Sequence, residues 1–203
     1  MKRRINKLLF IFCAVILAGL FLAIFIYKPA DMGNTPQEAA LKTRRTVLKT
    51  INEEKVQGGE ILYFIKNSLD YKKADLAVGY IKKTIWGWKW EYGGEHGSIS
   101  STTKINGFST QFFPAVKGTP FPLYFGAITN PRIDKIKVVE MQRNTTSDAE
   151  ISGSGNLRVW HIFMRNLKGS KFSIKAYSKE GKELSSANED VSPFSADQKP
   201  INQ

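Results

Sequence analysis

The segment from Leu8 to Tyr27, LLFIFCAVILAGLFLAIFIY, runs for twenty residues without a charge or a proline. As a helix rising about 1.5 Å per residue, such a run is long enough to cross roughly 30 Å of hydrocarbon. Its side chains prefer lipid to water, so the run predicts a transmembrane helix over 8–27. Lys2, Arg3, Arg4 and Lys7 precede it, and only Lys28 follows before Asp31. Cations flanking a first span are retained on the cytoplasmic side. The expected topology is a single-pass signal-anchor in the cell membrane, with residues 1–7 as a cytoplasmic basic flank and an extracellular domain at the cell envelope. A cleaved secretion signal fits less well, because it needs an apolar stretch of about 7–15 residues and small residues before the cut. This run ends Phe25-Ile26-Tyr27-Lys28-Pro29. Lipid attachment at Cys13 would need small residues just before it, and Ile11 and Phe12 stand there.

Cys13 is the only cysteine, so the rest of the chain has no intramolecular disulfide, thiolate nucleophile or cysteine-based zinc site. Lys and Arg number 30 against 18 Asp and Glu, a net charge of +12. With the four basic residues of the flank set aside, 26 cations still face 18 acids. The surplus favours anionic partners, such as lipid head groups or an anionic wall polymer. It serves equally to keep a solvated surface soluble. No block of five like charges occurs, and nucleic acid is not expected as a partner.

Residues 28–34 (KPADMGN) read as a polar tether. Thr35-Pro36-Gln37-Glu38 then carries a capping-box pattern with proline at the first helical position, so a helix starts at Pro36. Ala40, Leu41, Val47, Leu48 and Ile51 recur at helical spacing and predict one apolar stripe against a sheet, with Lys42, Arg44, Arg45 and Lys49 on the other side. Gly58-Gly59 breaks that pattern. Strands are predicted at Glu60–Lys66, Leu76–Lys82 and Thr84–Tyr92, a meander. In the last of these Trp86, Trp88 and Trp90 alternate, which places the three indoles on one face.

Gly93-Gly94-Glu95-His96-Gly97 reads as a turn, and the Ser/Thr-rich stretch from Ser98 to Thr103 as a seam between two lobes. Further strands are predicted at Leu123–Ile128, Ile133–Met141, Leu157–Met164 and Phe172–Tyr177, with turns at Asn130-Pro131, Gly153–Asn156 and Glu180-Gly181. Between Arg158 and Arg165 both alternating sets, Trp160/Ile162/Met164 and Val159/His161/Phe163, are apolar enough for a strand buried on two faces. From Ser185 the chain turns polar and reads as disordered. The expected fold class is α+β, mostly β. After the transmembrane helix come a helix-plus-antiparallel-sheet lobe over 35–97, a β-sandwich-like lobe over 98–184 and a tail over 185–203.

The stretch Ile81–His96 (IKKTIWGWKWEYGGEH), with Pro122–Ile128 (PLYFGAI) and Arg158-Val159-Trp160 downstream, resembles uncharacterised membrane-anchored or secreted proteins of Gram-positive bacteria. In that group a helix precedes strands, a GWKW-type strand runs into a glycine turn, and a second β lobe ends in a hairpin like Lys175–Leu184. The resemblance covers roughly residues 35–185. It implies an architecture and no reaction, cofactor or catalytic residue.

Trp86, Trp88 and Trp90 are the first candidate binding residues: exposed, an indole ladder stacks on sugar rings or peptide prolines, and buried, it is core. Core is the favoured reading, because each indole buries roughly 150–250 Å², with Gly79 and Gly87 leaving room for rings to cross a neighbouring strand. Glu95 and His96 are the second candidate, since the glycines around them admit a close ligand and Glu95 could tune the imidazole. A metal site would need His96 and His161 with carboxylates, and no ligand pair has helix or finger spacing. No metal or cofactor is expected, and no catalytic set of nucleophile, base and orienting group is visible. The function expected is a non-enzymatic binding or accessory protein of the cell envelope, its partner a membrane protein, an anionic wall polymer or the lipid surface. The alternative is an envelope hydrolase using Glu95 and His96 as an acid/base pair.

Overall fold

A computed structural model describes residues 10, 12–19, 22, 29–44 and 46–202. Within the apolar N-terminal run the described residues, 10, 12–19 and 22, are helical. Among the described residues no helix is long and apolar enough to cross a membrane; a span needs about 20 residues. This corrects the single-pass transmembrane helix expected over 8–27, and with it the cell-membrane placement and extracellular domain that rested on it. The cytoplasmic flank 1–7 and the rest of the run lie outside the described residues.

The described chain is mostly β, in three four-stranded antiparallel sheets. The first helix, α1 (Pro36–Arg44), begins where the capping box placed it. The Glu38 N–H donates to Thr35 Oγ1 (3.1 Å), and the Glu38 carboxylate accepts from the Asn34 N–H (2.8 Å). It stops well short of the expected end. Thr46, Val47, Thr50 and Ile51 are β-branched and lose side-chain freedom in a helix, and the chain here pairs with the next strand instead.

That pairing makes β1 (Lys49–Val56), which joins β2 (Gly59–Lys66), β3 (Asp75–Thr84) and β4 (Gly87–Ser98) in sheet order β1-β2-β3-β4. A short helix, α2 (Ile99–Thr102), leads to β5 (Gln111–Phe113), β6 (Leu123–Ile128) and β7 (Lys135–Glu140). There follow β8 (Thr145–Asp148), β9 (Glu150–Ser154), β10 (Leu157–Phe163), β11 (Lys171–Tyr177) and β12 (Glu183–Asp190). The second sheet has order β5-β6-β10-β9 and the third β12-β11-β7-β8.

The layers stack in the order α1, first sheet, second sheet, third sheet. Alternation along β2 and β3 sends Leu62, Phe64, Ala77 and Ile81 toward Ala39 and Ala40 of α1, while Ile61, Tyr63, Ile65, Leu76, Val78 and Tyr80 face the second sheet. There they meet Phe113, Leu123, Phe125, Ala127 and Val159. The other face of the second sheet packs Tyr124 and Trp160 on Ile136, Val138, Phe172 and Ile174 of the third. Strand β10 is therefore buried on both faces, as its two apolar sets require.

Residues 185–203, expected to be disordered, are ordered as far as they are described. Strand β12 pairs along β11 up to Asp190. Beyond it the Ala196 N–H donates to the Gly169 carbonyl (2.9 Å), and Ile201 and Ala115 are joined by an N–H to carbonyl bond (2.9 Å). Backbone bonds hold this segment where apolar side chains are few. The neighbouring loop is tied by Glu140, a buried carboxylate that accepts from the Arg143 guanidinium and the Lys168 N–H (2.8 Å). The guanidinium bond foremost holds its carboxyl below the ordinary carboxylate range.

Candidate functional site

The three tryptophans do not form one ladder. Ile85 and Trp86 make the turn between β3 and β4, where the Trp86 N–H donates to Thr84 Oγ1 (3.2 Å), so the single strand expected over 84–92 is two strands. Trp88 is half-buried at the start of β4, its backbone paired both ways with Gly33 (2.8 and 2.9 Å) and its ring under Lys83 Nζ at 5.6 Å. Trp90 is core: it is 9% exposed and meets Phe64 edge-on at 6.2 Å. Its ring lies across two glycines of adjoining strands, Gly79 and Gly93, where an added Cβ would come within 2.0 and 2.4 Å of it. Gly79 does what the sequence predicted; Gly93, not Gly87, is the second.

Glu95 and His96 lie within β4, not in a turn, and the structure does not bring them together as a pair. The register slips by one residue between Leu76 and Ala77 at this point, which is a bulge. Glu95 turns to the α1 side and pairs with Lys66 Nζ beside Phe64 and Trp90. His96 turns to the second sheet, its ring 6.1 Å from Phe125. Its Nδ1 lies 2.9 Å from Gln111 Oε1; an amide oxygen only accepts, so Nδ1 carries the proton. The buried Nε2 has no hydrogen-bond partner.

Burial, opposed by the Gln111 bond, lowers the His96 pKa below the ordinary imidazole value. The unfolded chain therefore takes up a proton here at higher pH than the folded one. Stability is complete above about pH 6.5 and falls as the pH drops through the lowered folded value. We expect His96→Gln, followed by urea unfolding from pH 7.5 to 5, to flatten this loss; an unchanged pH profile would show that His96 does not titrate on unfolding.

Two clusters that the sequence reading did not assemble are better formed. The first joins strands β1, β9 and β10. His161 Nε2 lies 2.7 Å from Glu54 Oε2 and 3.8 Å from Glu150 Oε2, and Tyr63 O–H donates to Glu54 Oε2 (3.4 Å). Burial first, and the Glu54 charge second, push the Tyr63 phenol well above its ordinary value. Glu54 and His161 are more than a hundred residues apart, and no spacing rule could have joined them.

The second is basic. Two adjoining clefts of about 480 and 320 Å³ open at the end of the third sheet and share Asp134, Ser178 and Lys179. Arg132 and Arg158 line the first with Lys182, and Lys135 and Lys137 line the second beside Tyr177. Six cations thus face Asp134 and Glu180. Asp148 reaches Lys135 and Lys137 only at 3.8 and 3.7 Å with all three side chains well exposed. Pairs of that kind contribute about 0–1 kcal/mol, and with Asp148 counted beside Asp134 and Glu180 the six cations still leave a surplus of three positive charges. Lys137 Nζ stands 5.9 Å over the Tyr177 ring. The signal in the sequence was the overall surplus of cations, which carries no position.

Comparison with protein-family models, with curated proteins and with solved structures finds no match.

Proposed function

We propose that this protein is a non-enzymatic binding protein whose ligand is an anionic polymer, held in the paired basic clefts around Lys179. The chain is read as two sandwiches that share the middle sheet, and the clefts belong to the second. The observation that carries the proposal is the convergence of Arg132, Lys135, Lys137, Arg158, Lys179 and Lys182 from three separate chain segments onto one end of that sandwich. The 26 cations beyond the flank are spread along the sequence, and this end collects six of them. A polymer with charges repeated along its length fits two clefts in series, and the Tyr177 ring adds a flat apolar contact in the second.

Binding of this kind is dominated by release of counterions, so affinity falls steeply with salt. We expect the full chain to bind polyphosphate at 50 mM salt and to lose at least tenfold in affinity by 200 mM. Replacing Arg132, Lys179 and Lys182 together by glutamine should weaken binding at least tenfold and flatten the salt dependence, by analogy with about one unit of log-log slope per lost phosphate contact. Equal binding by the triple variant and the parent chain, or no binding at low salt, removes the proposal.

A further inference from the structure

We propose that Glu54, Glu150 and His161 form a site for one divalent transition-metal ion of the Zn²⁺ type, bridging the first and second sheets. One oxygen from each carboxylate and one imidazole nitrogen lie within 4.8 Å of one another. In a tetrahedral site, bonds of about 2.0–2.2 Å place neighbouring donor atoms roughly 3.3–3.6 Å apart. The observed separations from Nε2, 2.7 Å to Glu54 and 3.8 Å to Glu150, bracket that range, and the exposed Glu150 side chain has room to adjust.

Two further observations point to a cation. His161 is 1% exposed, and neither ring nitrogen makes a hydrogen bond. Nε2 comes within 2.7 Å of Glu54 Oε2 without hydrogen-bond geometry, so a carboxylate oxygen stands beside a buried ring nitrogen that no hydrogen bond satisfies. Leaving such a nitrogen unmatched is costly, and a metal ion there satisfies it. In addition, among the described residues neither Glu54 nor Glu150 pairs with a lysine or arginine, in a chain where cations outnumber acids 30 to 18. Two carboxylates balance the charge of one divalent ion.

The two carboxylates are held in place from outside the donor set. Tyr63 O–H donates to Glu54 (3.4 Å), orienting that carboxylate. His161 and Glu150 face each other as a cross-strand pair of β10 and β9, so backbone bonds hold their spacing. Glu150 is exposed on its outer side, which gives the ion a path in and leaves its remaining coordination to water. One nitrogen and two oxygens, without sulfur, suit Zn²⁺, Co²⁺ or Ni²⁺ over Mg²⁺ or Ca²⁺, which take oxygen only.

The test is titration of the full chain with Co²⁺, in a Cys13→Ser background because that thiol is exposed. We expect visible absorption that saturates at one ion per chain and is displaced by Zn²⁺. Glu150→Gln, an exposed change that leaves the metal-free fold intact, should weaken binding at least tenfold. Zn²⁺ at a hundredfold excess over its Kd should raise the Tm of the parent by about 5–10 °C, because the ion binds only the assembled sheets. In Glu150→Gln at the same Zn²⁺ concentration the rise should fall to about half or less, while His96→Gln should keep both signals. Absence of saturable Co²⁺ or Zn²⁺ binding overturns the site, as does unchanged affinity in Glu150→Gln or loss of binding in His96→Gln.

Discussion

Replacing Gly126 by alanine is expected to cost roughly 3–5 kcal/mol of stability, combining a strained, overpacked contact with an indole N–H left without its acceptor. Gly126 lies in the middle of β6, opposite Trp160 of β10. The Trp160 indole crosses the glycine, and its Nε1–H donates to the Ser109 carbonyl at 2.8 Å. A Cβ on Gly126 would stand 1.8 Å from that carbonyl oxygen and 2.7 Å from Nε1. Ser109 cannot retreat alone, because its N–H and Oγ are both bonded to the backbone of Ala127, at 2.9 Å each. The methyl group must break one of these bonds or expel the indole, and Trp160 is fully buried between the second and third sheets. For a chain of this length the Tm should fall by about 6–20 °C. The matched control is Gly94→Ala, whose Cβ would meet only the Phe113 ring at 3.6 Å; it should be neutral or slightly stabilising. A loss below 1 kcal/mol in Gly126→Ala would contradict the packing described for the middle sheet.

The second large effect is a coupling. Trp90→Ala should cost about 3–5 kcal/mol, the usual range for a buried tryptophan. Gly79→Ala alone should also be severe, because its Cβ would come 2.0 Å from the Trp90 ring and drive it out of the contact with Phe64 and α1. In the Trp90→Ala background that clash is gone, and the same glycine change should cost less than about 1 kcal/mol. A double-mutant cycle by urea unfolding should therefore return a coupling of roughly 2–3 kcal/mol, the upper part of the range for residues in contact. Additive costs would mean that Trp90 does not lie across Gly79, and would reopen its role as a surface aromatic. The cycle thus separates the buried member of the three tryptophans from Trp88, which keeps an accessible face beside Lys83.

With the exception of β4, an edge strand that its tryptophans make partly legible, the strands legible in the sequence and those that are not differ in one respect. Glu60–Lys66, Leu76–Lys82, Leu123–Ile128, Leu157–Met164 and Phe172–Tyr177 were each read close to their observed limits, and the corresponding β2, β3, β6, β10 and β11 are interior members of their sheets. Of those passed over, β1, β5, β8, β9 and β12 are all edges. An interior strand packs both neighbours and at least one layer, so its side chains must be apolar in a regular pattern. An edge strand such as KTINEEKV, TTSD or ELSSANED is held mainly by backbone bonds to one neighbour, which leave no mark on the choice of side chain. The carboxylates around His161 lie on such strands, Glu54 on β1 and Glu150 on β9, where no local pattern marks them.

What the sequence by itself determined is the mostly antiparallel β character, the start of α1 at its capping box and the two-faced burial of β10. All of these follow from local patterns of apolar side chains and caps. The tertiary structure alone decided where α1 ends, that the polar tail closes the third sheet, and that Glu95 and His96 serve opposite faces. It alone brought Glu54, Glu150 and His161 to one point and six cations to one end. Contacts between distant segments arise from the stacking of layers, and a pattern read along one dimension does not contain them.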